Sequence, residues 1–478
     1  MHSNPRRDMT AAPSTGNRPR FCPTVLGLSK YPARLGGLLA AACALWPATG
    51  QAVPSFARQL NMACIACHTA YPELNAFGRQ FKLGGYTLSA EQTNLPPLAL
   101  MLTPSFTHTQ AAQASGAAPG FGDNNNTVNT QTSLFYAGRL FGPYAKSLFG
   151  PDVTKFVNKI GVFFQATYDG VGKSWSWDNV EVRYASTASF SAHNVSYGVY
   201  ANNNPTLQDP WNTIPAWSFP FTSSSLAPAP AAATLIEGGL SQQVIGVGAY
   251  ALFDNTLYVD VAGYHTMGTH LQRSLGVDPS GEAQVGGLAP YWRIAWQKPA
   301  AGGMLEIGTF GLAADTYPDR DRSEGHDRHV DIGFDSQYQW SDAKCDVTAT
   351  VAWISERQTW TASEALGATA NTTDSLRDFR ATLHCLCNKT YGVTAQYFAI
   401  SGTADDLLYP DSASGSPNSN GEILQLEYLP FNKSGGPTFW PRSNVKLSLQ
   451  YVAYNKFDGE RQGAHGNNTV YAEAWIAF

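Results

Sequence analysis

From about residue 97 to the end of the chain, apolar and polar residues alternate with a period of two, the pattern of strands with two unlike faces rather than of helices. Sixteen such segments can be marked. They lie near 97–110, 132–142, 156–168, 177–190, 194–203, 242–253, 256–266, 290–298, 303–315, 328–340, 343–358, 374–387, 391–402, 421–430, 444–456 and 469–478. In Val445-Lys446-Leu447-Ser448-Leu449-Gln450-Tyr451 the odd positions are apolar and the even ones polar, so one face suits lipid and the other a lumen. Thr256 to Gly263 and Val330 to Gln339 behave similarly. The chain ends on Phe478, and stepping back by twos gives Ile476, Ala474, Ala472 and Val470, the pattern of a strand that closes a barrel.

The connections sharpen this reading. Short turns fall at Ala192-His193, Asp254-Asn255, Pro299 to Gly302, Ser341-Asp342 and Asn388 to Thr390, and each is followed by a long connection. Outer-membrane barrels alternate short periplasmic turns with long external loops in this way, whereas a soluble β-sandwich explains the strand alternation but not the loops. On that rule the Pro- and Ala-rich stretch from Asn204 to Ser241 is the largest external loop. The shorter ones span 267–289, 316–327, 359–373 and 403–420. Two turn-side connections, 143–155 and 431–443, are longer than the rule prefers. An even strand number places both termini on the periplasmic side.

Composition agrees with lipid contact and removes some function classes. Charged residues are 14% of the chain, against about 25% in ordinary soluble domains. Aromatics reach 12%. Beyond residue 53 no stretch approaches the roughly 18 consecutive apolar residues of a spanning helix. A net charge of −5 gives no basic footprint, so no nucleic-acid partner is expected. Lys30 and Arg34 precede the apolar run Leu35 to Trp46, and Gly50-Gln51-Ala52 supplies small residues for cleavage. Residues 1–52 therefore read as a signal peptide, 53–96 as a small domain, and 97–478 as the barrel.

The small domain carries the chemistry. Cys64-Ile65-Ala66-Cys67-His68 is a C-x-x-C-H run, the attachment sequence for one covalent haem c. Cys64 and Cys67 suit thioether bonds, and His68 is tethered to ligate the iron axially. About 44 residues are at the lower limit for an independent core, so the haem must supply much of it. Pro72 can start a helix in which Leu74, Phe77 and Phe81 form a stripe, ended by Gly84-Gly85. That stripe packs either on the porphyrin or on the barrel wall, and the small helical domain can plug the lumen. Met101 and His108 are the candidates for a second axial ligand. Met62 is disfavoured by its position two residues before Cys64. Arg58, Arg79 and Lys82 are candidates to neutralise the propionates, with plain solvation the alternative for each.

Two other sets bear on chemistry. Cys345 is expected opposite Cys385, across a hairpin centred near residue 365, with a disulfide and free thiols both open and a metal site a distant third. Asp315, Asp319, Asp321, Glu324, Asp327 and Asp331 offer hard oxygen ligands, but Arg320, Arg322 and Arg328 are interleaved, which favours an internally neutralised loop. No carboxylate pair, Ser/His/Asp set or nucleotide-binding glycine loop stands in a convincing context.

With these residues in place, the chain resembles the fused monohaem cytochrome and porin proteins of the outer membrane in iron-oxidising bacteria. The stretches that carry the resemblance are Pro54-Ser55-Phe56-Ala57-Arg58, Met62 to Thr69, Pro72-Glu73-Leu74 and Phe77-Gly78-Arg79-Gln80-Phe81-Lys82-Leu83. Ser105 to Thr109, Asn203 to Thr206 and Asp209-Pro210-Trp211-Asn212 are similar as well. The resemblance implies an Fe(II):cytochrome c type oxidoreductase in the outer membrane. It would take electrons from external Fe(II) and pass them through one haem to a periplasmic cytochrome or copper carrier. Two other readings share the sequence features: a diffusion porin whose haem segment is a plug, and a conduit carrying electrons outward to an external acceptor.

Overall fold

The computed structural model describes residues 54–60, 62, 64–69, 72–88, 97–214, 222–280, 283–435 and 443–478. The signal peptide expected over 1–52 lies outside them. Each of the sixteen marked segments corresponds to a strand: β1 (Leu98–Thr109), β2 (Asn126–Arg139), β3 (Ile160–Asp169), β4 (Ser174–Phe190), β5 (His193–Asn202), β6 (Val244–Phe253), β7 (Leu257–Thr266) and β8 (Ala289–Ala300) form the first half. The second half comprises β9 (Gly303–Tyr317), β10 (Asp327–Ser341), β11 (Cys345–Thr359), β12 (Thr373–Cys387), β13 (Tyr391–Gly402), β14 (Ser419–Tyr428), β15 (Asn444–Lys456) and β16 (Thr469–Ala477). Every strand pairs antiparallel with its neighbours in sequence, and β1 also pairs with β16, so the sheet closes into a barrel. Phe478 completes the closure. Its N–H donates to the Leu100 carbonyl at 3.0 Å and its carbonyl accepts from Leu100 N at 2.8 Å.

The two faces are the inverse of a soluble barrel. Val247, Val261, Ile307, Phe334, Val351, Leu383, Val393, Leu424 and Leu449 are exposed on the outside, while Gln165, Arg293, Thr350, His384, Thr394, Gln425 and Gln450 are buried inside. An apolar exterior on a closed sheet leaves no unpaired strand edge and no polar group facing hydrocarbon, which is what a bilayer demands of a β protein. Among the described residues, no helix is long and apolar enough to cross a membrane.

Three sequence expectations are corrected. The first concerns Asn204 to Ser241, which does not stand wholly outside as an external loop: residues 202–214 are buried throughout and run inside the barrel. Trp211 meets Tyr258 with ring centroids 5.4 Å apart, Gln337 Nε2 donates to the Trp211 carbonyl at 3.1 Å, and Tyr454 Oη donates to the Pro228 carbonyl at 3.2 Å. Sixteen strands enclose more space than wall side chains fill, and a long Pro-rich loop is the material at hand. The second correction is to strand edges. β3 begins at Ile160 rather than near 156, because Pro151–Val157 forms a short helix with Pro at its first position. The third is the cysteine register: Cys345 pairs with Cys387, not Cys385, because the β11–β12 hairpin is centred one residue later than expected. Their sulfurs are 3.5 Å apart, and both thiols are free.

Candidate functional site

The segment before the barrel lies within it, at the short-turn end. Helix α1 (Pro54–Leu60) is fixed to β2 by Ser55 Oγ and Gln59 Nε2, which both donate to the Ala137 carbonyl, at 2.9 and 3.0 Å. Helix α2 (Ala76–Leu83) follows the haem motif. It starts at Ala76 rather than Pro72, because residues 72–75 serve a different purpose. His68 and Leu74 form an antiparallel bridge, Thr69 N donates to the Glu73 carbonyl at 3.3 Å, and Asn75 N donates to the Cys67 carbonyl at 2.9 Å. The chain thus doubles back on the cysteines before the helix begins. Gly84-Gly85 ends α2 as the sequence suggests: Tyr86 N donates to the Phe81 carbonyl and Gly85 N to the Lys82 carbonyl, with Gly85 at φ 67°. That is a Schellman stop, and it needs glycine at the left-handed position.

Asn75 joins helix and motif. Its Oδ1 accepts from Gly78 N at 3.0 Å, capping α2, while its Nδ2 donates to the carbonyls of Ala66 at 3.0 Å and Ile65 at 3.3 Å. Gly78 lets the two come together, since a β-carbon there would stand 2.3 Å from the Cys67 carbonyl oxygen. Cys64 and Cys67 consequently flank a single 3₁₀ turn, Cys64–Ala66, closed by Cys67 N and His68 N on the Cys64 carbonyl, each at 3.2 Å.

His68 is oriented by the same doubling back. Its Nδ1 is 3.1 Å from the Glu73 carbonyl, which can only accept, so Nδ1 carries the proton and Nε2 the lone pair. Burial lowers the imidazole to about 4 against the opposing carbonyls of Glu73 and Pro72, which keeps it neutral. Burial, with Cys64 close by, pushes the Cys67 thiol up to about 12. Two thiols on one turn beside an imidazole of fixed tautomer are the donor types a covalently held haem would need, and the residues present fit that group.

The remaining candidates are distributed unevenly. Met101 faces the lumen in a cluster with Phe81, Tyr86, Ala99, Phe135, Ala137 and Phe163, against which Phe56 and Leu60 also pack. Phe81 therefore rests on the wall and α1, the second of the two expectations for the apolar stripe. His108 is corrected as an axial candidate. It sits at the loop end of β1, between lumen-facing Thr107 and Thr109, and pairs outside with Asn125 Oδ1 at 2.9 Å. Strand alternation sends it away from the interior. Met62 is exposed, and the Arg58 side chain lies outside the described residues.

Neither Arg79 nor Lys82 is solvated. Arg79 Nη1 donates to the Leu74 carbonyl at 3.0 Å and to the side-chain oxygens of Gln337 and Gln339 in β10. Lys82 Nζ donates to the Asp209 carbonyl at 2.7 Å, and burial pushes it down to about 8. The C-terminal carbonyls of α2 meet the wall in turn: Lys82 O accepts from Arg183 Nη1 at 3.1 Å and Leu83 O accepts from Tyr250 Oη. A buried cation suits the negative end of a helix.

Sequence reasoning missed Glu73, Asn75 and His384. Glu73 Oε1 accepts from the hydroxyls of Thr69 and Thr348, and His384 Nδ1 stands 3.3 Å from its Oε2. Burial alone would raise this carboxyl, but His384 and the two hydroxyls hold it below its ordinary value. Asn75 was detectable as an N-cap residue ahead of a helical run; His384 gave only a polar position on an alternating strand. The acidic residues 315–331 are used internally. Asp315 pairs with Arg328 at 2.9 Å, and Asp327 accepts from Ala362 N at 2.8 Å. Among the described residues no group of three His, Cys, Asp or Glu is arranged to hold a metal ion.

No protein-family model matches the chain, and no curated protein matches it. Among solved structures it is similar to Salmonella typhi OmpF in complex with daunomycin, at 10% identity and TM-score 0.44, covering 80% of this chain and 97% of that one. The outer membrane channel DcaP of Acinetobacter baumannii gives 10% identity, TM-score 0.42 and coverage of 80% and 96%. The anion-selective porin from Comamonas acidovorans gives 9%, 0.41, and 80% and 98%. At such scores the likeness adds nothing to what the strand pairing itself establishes.

Proposed function

We propose that this protein stands in the outer membrane as a one-electron oxidoreductase, taking electrons from external Fe(II) and passing them to a periplasmic carrier. Haem c, bound through Cys64, Cys67 and His68, supplies the redox couple. The observation that carries the reading is the held imidazole: His68 has its Nδ1 proton engaged by Glu73 O at 3.1 Å, beside the two cysteines of one turn. The residues around it exclude water from one side and fix orientation, and no general acid or base is needed for electron transfer. Glu73, Arg79 and Lys82 tie the segment to the interior, so the redox centre travels with the barrel rather than on a flexible tail. The barrel supports the reading in so far as its interior holds both the N-terminal segment and residues 203–214.

The diffusion-porin reading shares the barrel, but two segments lying in the lumen favour electron passage over free solute flow. The test is direct. Detergent-purified, oxidised protein should show a covalent haem spectrum that Fe(II) reduces in a stopped-flow experiment. Absence of reduction at every pH from acidic to neutral would overturn the assignment of donor, and absence of covalent haem would overturn it altogether.

A further inference from the structure

Among the described residues, the Glu73 side chain links the segment of the haem motif to the barrel wall. Glu73 Oε1 accepts from Thr69 of its own segment and from Thr348 of β11; its Oε2 faces His384 Nδ1 of β12 at 3.3 Å. His384 Nε2 in turn stands 3.6 Å from Glu427 Oε2 of β14. Glu73, His384 and Glu427 are 4%, 3% and 5% exposed. His384 thus stands between two carboxylates, one facing each ring nitrogen. An imidazole between two buried carboxylates is stabilised in its cationic form. The main-chain carbonyl of the same Glu73 is the acceptor for His68 Nδ1. One residue therefore links the axial histidine to a carboxylate–imidazole–carboxylate series built into the wall.

We propose that His384 is a positioning residue for the haem iron: it fixes the Glu73 side chain, through Glu73 the orientation of His68, and its charge offsets the two carboxylates it stands between. This rests on the haem reading given above. Partners of a ligating histidine set both its orientation and the electronic character of the metal. In a dry interior the charges behind them act over several ångströms with little screening. A purely structural role would have the three side chains do no more than seat the N-terminal segment.

The two roles separate on the sign of a potential. The full chain, loaded with haem and purified in detergent, is compared as wild type, His384→Gln and Glu73→Gln, with Glu427→Gln as a further variant in case His384→Gln does not fold. Haem stain after denaturation and heat-modifiable gel migration come first; a wild type without covalent haem overturns the functional reading and this inference with it. Given haem, His384→Gln is expected to lower the midpoint potential, because two carboxylates lose their cation. Glu73→Gln and Glu427→Gln should raise it, and the ferric low-spin signal of His384→Gln should shift as the imidazole plane turns. Potentials and spectra equal to wild type in all variants overturn the proposal. So do shifts of one common sign accompanied by protease release of the N-terminal segment, the signature of lost docking alone.

Discussion

Two segments lie inside this barrel, and they are built by different rules. Residues 54–60 and 76–83 are helical on either side of the C-x-x-C-H turn, and their segment is bonded to the interior through its own side chains Ser55, Gln59, Glu73, Arg79 and Lys82, joined by wall donors to the Lys82 and Leu83 carbonyls. Residues 203–214 and 222–243 have little regular structure, and there interior side chains serve much of the loop's backbone. Gln337 donates to Trp211 O, Gln113 to Leu226 O and Tyr454 to Pro228 O, while Glu356 and Asp331 accept from Leu235 N and Ile236 N. Buried backbone groups must find partners, and polar wall residues supply them alongside the loop's own Asp209 and Glu237. Packing that depends on particular side chains can hold one ring in one orientation. Packing that depends on backbone groups fills space and tolerates changes of sequence.

The sharpest way to break this contrast is to remove the chemistry from one segment only. Cys64→Ala with Cys67→Ala is expected to abolish covalent haem on a denaturing gel while leaving heat-modifiable barrel migration intact; a retained stain would refute the attachment. Shortening 205–241 to a tight turn should do the opposite, raising single-channel conductance in planar bilayers several-fold while the haem stain persists. Unchanged conductance would mean that the N-terminal segment alone closes the lumen.

Smaller effects test the anchors. Arg293 contacts Asp209 of the loop at 3.3 Å, Glu306 at 3.2 Å and Asp335 at 2.6 Å, all buried. Arg293→Met leaves three buried carboxylates without their cation and should cost about 3–5 kcal/mol in urea unfolding from detergent. Lys82 gives a pH signature for the N-terminal segment. Its value is about 8 when folded and 10.5 when not, so below pH 8 it is charged in both states and the full cost of burial is present. Between about pH 8 and 10.5 the folded form gives up its proton first, and stability rises with pH by up to about 3 kcal/mol. Protease resistance of the segment should follow that rise, and Lys82→Met should flatten it. The least effect is expected outside the barrel, at Cys345 and Cys387. Mild oxidation should join them, detected as loss of two hydrogens in the intact mass, with little change in unfolding because the paired strands already hold them together.

The wall was legible because a period of two survives in every strand: Val445 to Tyr451 announces both of its faces, and Phe478 announces the seam at Leu100. The haem motif was legible because C-x-x-C-H is contiguous. Less was legible wherever a partner lies far along the chain. Nothing near Glu73 points to His384, 311 positions away. Nothing in the Pro- and Ala-rich run 204–241 distinguishes a loop outside the barrel from one folded into it, since both lack periodicity.

The sequence by itself determined the number of strands and their inward and outward faces, and it displays the contiguous Cys64, Cys67 and His68 run, because each is written in local spacing. Tertiary structure alone decided that the Cys64–His68 run sits in the lumen, that the Glu73 carbonyl meets His68 while its carboxylate meets His384, and that residues 202–214 turn inward. Those outcomes follow from closing sixteen strands into a ring, which creates an interior too wide for its own side chains and brings distant residues face to face.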